Sequence, residues 1–245
     1  MELTSTKNAT VLYAASLKEK KNRDKEGKYL IEGEHLVNMA ADSIESIFTT
    51  DYSYKNENAT VYYVNEAIIK KLSFVQAPQG IIAVVRKNCN EINYKLNRYL
   101  LCDGVSDPGN MGTIIRTALA FNVDMVILAN GSVDIYNDKV IRGSQGAILK
   151  MPVVYTDMNE CVKKLQENGV SVYASTLSKR SINLKDVKEV NKFALVVGNE
   201  GSGVSQSVQD ASDYNVKIAH SECIDSLNVG VATSIMLYYF DSICK

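Results

Sequence analysis

Three stretches in the second half of the chain hold residue types that could bind an anion or move a proton. The first is Asp103-Gly-Val-Ser-Asp-Pro-Gly-Asn-Met-Gly-Thr-Ile-Ile-Arg116. Asp107 can cap a helix that Pro108 starts, since proline lacks the donor that would be orphaned there. Arg116 then falls off the apolar stripe of Met111, Ile114, Ile115, Ala118 and Leu119, with Gly112 one turn earlier leaving space beside it. Two readings stand for Arg116: a surface arginine paired with a carboxylate, or a phosphate ligand presented near a helix mouth. The second stretch, Leu195-Val-Val-Gly-Asn-Glu-Gly-Ser-Gly-Val-Ser205, places Gly198, Gly201 and Gly203 between an apolar strand and a helix, where exposed amides can cradle a ligand. It is neither a P-loop nor a Rossmann fingerprint, and Glu200 within it suits accepting backbone amides. The third, Val216 to Ala232, carries His220, Asp225, Ser226, Leu227 and Asn228 ahead of the last helix, which Asp225 or Ser226 can cap.

These loops need a scaffold that brings them together. From Tyr99 onward, strands are expected at 98–102, 124–128, 153–155, 170–174, 193–197 and 216–218. Helices alternate with them at 110–121, 138–147, 159–167, 205–211 and 226–243. Strands apolar on both faces and separated by helices predict a parallel sheet covered on both sides. Ligands in such sheets sit beyond the carboxyl ends of the strands, which is where the three stretches fall. The final helix is apolar nearly all round, so it is expected to be buried in the domain or against a partner subunit. The first ninety residues read as a separate small α/β unit. A basic helix over Lys18-Glu-Lys-Lys-Asn-Arg-Asp-Lys25 precedes strands near 29–31, 44–49, 61–64 and 80–85, with helices at 35–41 and 66–72. The polar segment 91–98 is the expected linker.

The chain of 245 residues carries 27 basic and 28 acidic side chains, a net charge of −1, so no bulk positive field points to nucleic acid. The charge is uneven, however: residues 1–98 hold 14 basic against 12 acidic groups. The basic helix is either a solvated face or a phosphate-contacting one, which needs only local charge. Five cysteines without a C-x-x-C pair, and two histidines, His35 and His220, argue against a disulfide framework or a metal site, and for a reducing cytoplasm. Without a signal-peptide pattern or an apolar run of membrane length, the expectation is a soluble cytoplasmic protein. His35 reads as structural; His220 is a candidate by its place in the third loop. No Ser/His/Asp constellation or supported carboxylate pair suggests a hydrolase.

In this order and spacing, the three loops resemble the SpoU/TrmH family of RNA 2′-O-ribose methyltransferases, within the SPOUT superfamily. Asn110, Gly112 and Arg116 stand at matching positions of the first motif, Val197-Gly-Asn-Glu-Gly-Ser-Gly203 looks like the second, and Asp225-Ser-Leu-Asn-Val229 like the third. Arg142-Gly-Ser-Gln-Gly-Ala147 resembles a recurrent segment between them. The likeness covers about Leu100 to the C-terminus. More loosely, residues 1–90 are similar to the family's accessory RNA-binding domain, a small ribosomal-protein-like α/β fold found in members acting on large ribosomal RNA.

The resemblance implies an α/β methyltransferase domain over 99–245 with a C-terminal trefoil knot, an obligate homodimer, and S-adenosylmethionine bound among the knot loops. It implies Gly198, Asn199, Gly201, Ile218 and Leu227 at the cofactor. It further implies a catalytic group of Arg116, Asn110, Glu200, Ser226 and Asn228, and RNA contacts from Lys18, Lys20, Lys21, Arg23 and Arg142. The activity implied is methylation of a ribose 2′-hydroxyl in ribosomal RNA, with transfer RNA or a non-catalytic RNA-binding role as alternatives; no metal is implied. One departure lies in the third loop, where Glu222 takes a position that is usually glycine. A left-handed backbone there would be strained, and the carboxylate could narrow the cofactor pocket.

Overall fold

A computed structural model describes residues 1–178 and 181–245, which form two compact units. The first comprises Met1–Cys89 together with Tyr136–Ile141. Its mixed sheet is built from β1 (Glu2–Leu3), β2 (Lys28–Glu32), β3 (Ile44–Thr49), β4 (Thr60–Val64) and β5 (Ile81–Arg86), in the order β1-β4-β3-β5-β2. Helices α1 (Ala9–Ser16), α2 (Lys20–Glu26), α3 (Glu34–Met39) and α4 (Glu66–Leu72) accompany it. Val11, Ala14 and Leu17 meet Ile68, Ile69 and Leu72 of α4 over Leu30, Phe48 and Ile82 of the sheet. Asn8 and Asn65 cap α1 and α4 through their side-chain oxygens.

The expected basic helix is α2, and α1 before it is a further helix that the sequence reading did not include. The chain turns after α1 so that Leu17 reaches full burial, which frees carbonyls at the helix end. Arg23, only 5% exposed, donates to the carbonyls of Leu17 (3.1 Å) and Lys18 (2.5 Å). The Lys18 ammonium donates to the Ser73 carbonyl and lies 5.2 Å from the Phe74 ring centre. Arg23 and Lys18 are therefore committed inside the unit, which corrects their expected presentation to RNA. Lys20 pairs with Asp24, and Lys21 is exposed.

The second unit, Asn90–Ile135 with Arg142–Lys245, is built on a seven-stranded sheet whose strand pairs are all parallel. Its strands are β6 (Arg98–Asp103), β7 (Met125–Ala129), β8 (Val153–Thr156), β9 (Ser171–Ser175), β10 (Ile182–Asn183), β11 (Phe193–Gly198) and β12 (Tyr214–Lys217). They lie in the order β10-β12-β9-β11-β6-β7-β8. The helices are α5 (Pro108–Ala120), α7 (Met158–Glu167), α8 (Gln206–Ala211) and α9 (Val229–Ile243), while α6 (Asp138–Gly143) has its first four residues in the first unit and its last two in the second. One face of the sheet packs on Met158, Cys161, Val162 and Leu165 of α7 and on Val208 of α8. Elsewhere in the core, Phe240 of α9 stacks on Phe193 of β11 at 4.8 Å, and α5 and α9 meet through Thr117 and Ser234, whose hydroxyls are 3.2 Å apart.

Residues 91–98 are not a free linker: Ile92, Tyr94 and Leu96 pack on the core of this unit, and the Tyr99 hydroxyl donates to the Asn93 carbonyl. The short strand β10 escaped the sequence reading because two residues carry no periodicity. α6 stops at Gly143, four residues short of the expected end. Gly143 there lies against Gly112, and Gln145 (φ 49°) and Gly146 (φ 87°) turn left-handed.

Candidate active site

The first loop leaves β6 at Asp103 and enters α5. Asp107 Oδ1 accepts the Asn110 amide at 2.8 Å, and Pro108 takes the first helical position, so the helix starts as its sequence predicts. The buried Gly112 does not make room for Arg116. A Cβ there would stand 2.9 Å from the Gly143 backbone, so its bare face is filled by the segment after α6. Arg116 lies on the exposed side of α5 and forms neither an ion pair nor a side-chain hydrogen bond with any of the described residues. The paired-surface-arginine reading therefore has no carboxylate to support it.

The second loop leaves β11 through Gly198. A Cβ on Gly198 would sit 2.0 Å from the carbonyl carbon of Gly203. The glycine is required because the loop folds back on itself, with Asn199 and Gly203 exchanging backbone hydrogen bonds of 3.0 and 2.9 Å. The Asn199 side chain holds this turn from inside, accepting the amides of Gly201 (2.9 Å) and Ser202 (3.2 Å) and donating to the Gly104 carbonyl (2.9 Å).

Glu200 projects from that turn toward the first loop. Its carboxylate accepts the Ser106 amide (3.1 Å), the Ser106 hydroxyl (2.9 Å), the Asp107 amide (3.0 Å) and the Asn110 Nδ2 (3.0 Å). Burial acts to raise this carboxyl. The Asn110 amide and the backbone N–H groups of Glu200, Ser106 and Asp107 outweigh it and hold the group down at about 2. Glu200 is thus a fixed anion across the physiological range, not a proton shuttle. Ser106 was not singled out from sequence; its neighbour Asp107, read only as a cap, was the available signal.

Asn110 passes the arrangement on. Its Oδ1 accepts from Asn228 Nδ2 at 2.9 Å, and Asn228 Oδ1 in turn accepts the Gly230 and Val231 amides at the start of α9. Both amide orientations are fixed by their ends, because a carboxylate only accepts and a backbone N–H only donates. The chain Glu200–Asn110–Asn228 so ties the three loops to one another. It also moves the cap of α9 from the expected Asp225 or Ser226 to Asn228, which leaves 225–227 in the loop.

Beside this chain, between the carboxyl ends of β9, β11 and β12, lies a cavity of about 700 Å³. Gly198, Asn199, Gly201, Ile218 and Leu227 line it, as do Glu200, Ser226 and Asn228. Its volume is in the range of small-molecule sites. Arg116 is not among its walls, nor is Arg142, which is exposed on the second unit. His220 lines the cavity and His35 does not. Glu222 is exposed, does not line the cavity, and is not in left-handed backbone, so neither the expected strain nor the expected narrowing is found. No group of three or more metal-ligating side chains occurs among the described residues, and no described helix is long and apolar enough to cross a membrane.

An all-parallel sheet with a small-molecule cavity at its carboxyl edge, walled by the loops that follow β9, β11 and β12, defines an α/β protein with a ligand site where such sheets place one. Residues 97–238 match the SpoU rRNA Methylase family, and residues 8–83 match the MRM3-like substrate binding domain. The chain belongs to the SpoU rRNA methylase family. It is 35% identical to the 23S rRNA (guanosine(2553)-2′-O)-methyltransferase RlmP of Bacillus subtilis, over 97% of this chain and 98% of that one. Among solved structures it is similar to the AdoMet-bound rRNA methyltransferase from Sinorhizobium meliloti, with a TM-score of 0.89, 26% identity, and coverage of 99% and 97% of the two chains. It is also similar to a putative RNA methyltransferase of the TrmH family from Porphyromonas gingivalis, with a TM-score of 0.87, 28% identity, and coverage of 96% and 98%.

Proposed function

We propose that this protein transfers the methyl group of S-adenosylmethionine to a ribose 2′-hydroxyl of large-subunit ribosomal RNA. The observation that carries the reading is the Glu200–Asn110–Asn228 chain, which joins all three loops at the rim of the cavity. The cavity fits the cofactor on its own terms. Gly198 and Gly201 line it without side chains, and Ile218 and Leu227 supply apolar walls. The bound cofactor supplies a methyl group made electrophilic by its sulfonium.

The chain's own residues do the rest. Asn228 and Ser226 stand at the cavity wall, where a ribose edge would be oriented. Arg116, exposed and without a side-chain partner among the described residues, is free to take an RNA phosphate beside the reacting hydroxyl. A guanidinium keeps its proton in water, so its part is to hold the phosphate and steady charge as the hydroxyl proton leaves. Essentiality is expected of it; the final acceptor of that proton is left to experiment.

Leu119, Val231, Ile235 and Tyr238 are 37 to 66% exposed on α5 and α9, the same helix that carries Arg116 among them. A second copy of the chain covering this apolar face would bring a homodimer into being and place Arg116 at its margin. Membership of the SpoU rRNA methylase family is what supports a C-terminal trefoil knot. Residues 1–90 supply target choice through Lys20, Lys21 and neighbouring groups, with Arg142 adding an RNA contact from the second unit. Work on ribosomal RNA puts the enzyme in the cytoplasm.

The test uses labelled S-adenosylmethionine and unmodified large-subunit ribosomal RNA. Label entering RNA at a site that resists alkaline cleavage is the expected outcome, since a methylated 2′-oxygen has no attacking hydroxyl. Label at a cleavable site would move the reaction to a base and end this reading. Arg116→Ala is expected to lower transfer by about 10²-fold or more while the melting temperature holds, because the side chain supports nothing inside the fold.

A further inference from the structure

The cavity wall contains a charge that none of the described residues pairs with. Lys217 closes β12, and its neighbour Val216 is fully buried, accepting the Thr176 amide at 2.9 Å and so drawing the loop after β9 alongside. Lys217 itself is half-buried and lines the cavity together with Ser175 at the end of β9 and Leu177 and Ser178 of that loop. It is the one lysine or arginine among the described lining residues, and its ammonium has no ion pair or hydrogen bond with any of the described residues. An ammonium at a cavity wall that no protein group occupies is available to an anion that enters the cavity.

If the cavity holds S-adenosylmethionine, as proposed above, the choice of anion is narrow. Near neutral pH the adenosine is uncharged, and the sulfonium and the α-ammonium are cationic. The α-carboxylate is the molecule's only negative group. A lysine in this wall repels the first two and can pair only with the third. The other charged walls, Glu200 and Asp225, carry the opposite sign, and Glu200 is already filled by Ser106, Asp107 and Asn110. We infer that Lys217 binds the α-carboxylate of the cofactor's methionyl group and sets which end of the cofactor faces the loop after β9.

Binding calorimetry on the full chain tests this without reference to turnover. Two ligands are compared, S-adenosylmethionine and its decarboxylated form, which differ only in the carboxylate. Lys217→Ala is expected to weaken the first by about tenfold or more, as for a charge-assisted hydrogen bond, and the second by less than about twofold. Lys217→Arg is expected to restore most of the loss. Equal weakening of both ligands, or of neither, would overturn the inference. Failure of the cavity assignment itself is read separately. The chain has no tryptophan, so Leu177→Trp, at an exposed position on the same wall, gives a lone fluorophore. Its emission should shift on cofactor binding. Calorimetric binding without that shift would mean that the cofactor lies elsewhere, and the lysine inference would fall with it.

Discussion

Glu200 shows how little of a side chain's role its type decides. A carboxylate in a glycine-rich loop beside a cavity has the makings of a general base, yet four donors converge on it and hold it ionised. A base whose group stays near 2 would be a poor proton acceptor at neutral pH. Its work is to keep Asn110, and through it Asn228, in one orientation. Glu200→Gln replaces acceptors by an NH₂ and leaves donors of Ser106, Asp107 or Asn110 unpaired. The expected cost is about 1 kcal/mol, at the low end because the group is exposed to water, with a larger fall in methyl transfer. The pH dependence has a definite sign. The folded-state value lies below the ordinary 4.5, so the carboxylate stabilises the fold above that pH and loses this effect as pH falls toward 2. Melting curves of the two proteins should therefore draw together as pH falls from about 5 toward 2; a gap that does not narrow over that range would refute the account.

At the scale of elements, two glycines matter for steric rather than conformational reasons. Gly112 lets α5 touch the backbone of Gly143, and Gly198 lets the second loop fold onto its own return at Gly203. Neither has positive φ. Gly198→Ala must push the 203–204 backbone away from a clash of 2.0 Å, which costs about 1 to 3 kcal/mol as overpacking does. Because Asn199 and Gly201 move with that backbone, cofactor binding should fall further than stability does. A variant that binds S-adenosylmethionine like the parent in calorimetry would show that this turn does not shape the pocket. The start of α9 makes a related point. Asp225 and Ser226 are good caps by type, but the cap is Asn228, since its amide can serve Asn110 and the helix at once.

For the whole molecule, the apolar face of α5 and α9 is the feature that a single chain leaves unexplained. Ile235 and Tyr238 are 40 and 66% exposed, and Phe121 meets Tyr238 edge-on at 5.9 Å. Burying such a face in a symmetric pair removes it from water. Ile235→Asp would place a charge within that face, so light scattering should report half the parent mass with the monomer still folded. A parent that is monomeric at micromolar concentration would remove the dimer from the proposal.

Much of this was legible along the chain because it depends on local rules. The strand at 44–49 and the helix at 66–72 have their expected bounds, and the cap and proline that open α5 act as read. Apolar alternation and capping are settled by neighbours a few residues apart, so sequence alone determined the parallel α/β layout of the second unit and the loops where its chemistry lies. What separation in sequence hides was decided by tertiary contacts. Asn110 and Glu200 are 90 residues apart and Asn110 and Asn228 are 118 apart, so their relay leaves no periodic trace. Arg23 and Lys18 look like an exposed basic helix until the burial of Leu17 turns the chain and claims them. Gly112 and Gly198 are small for backbones that arrive from elsewhere. Local free energies choose the elements; which groups are left free to do chemistry depends on what distant packing has already used.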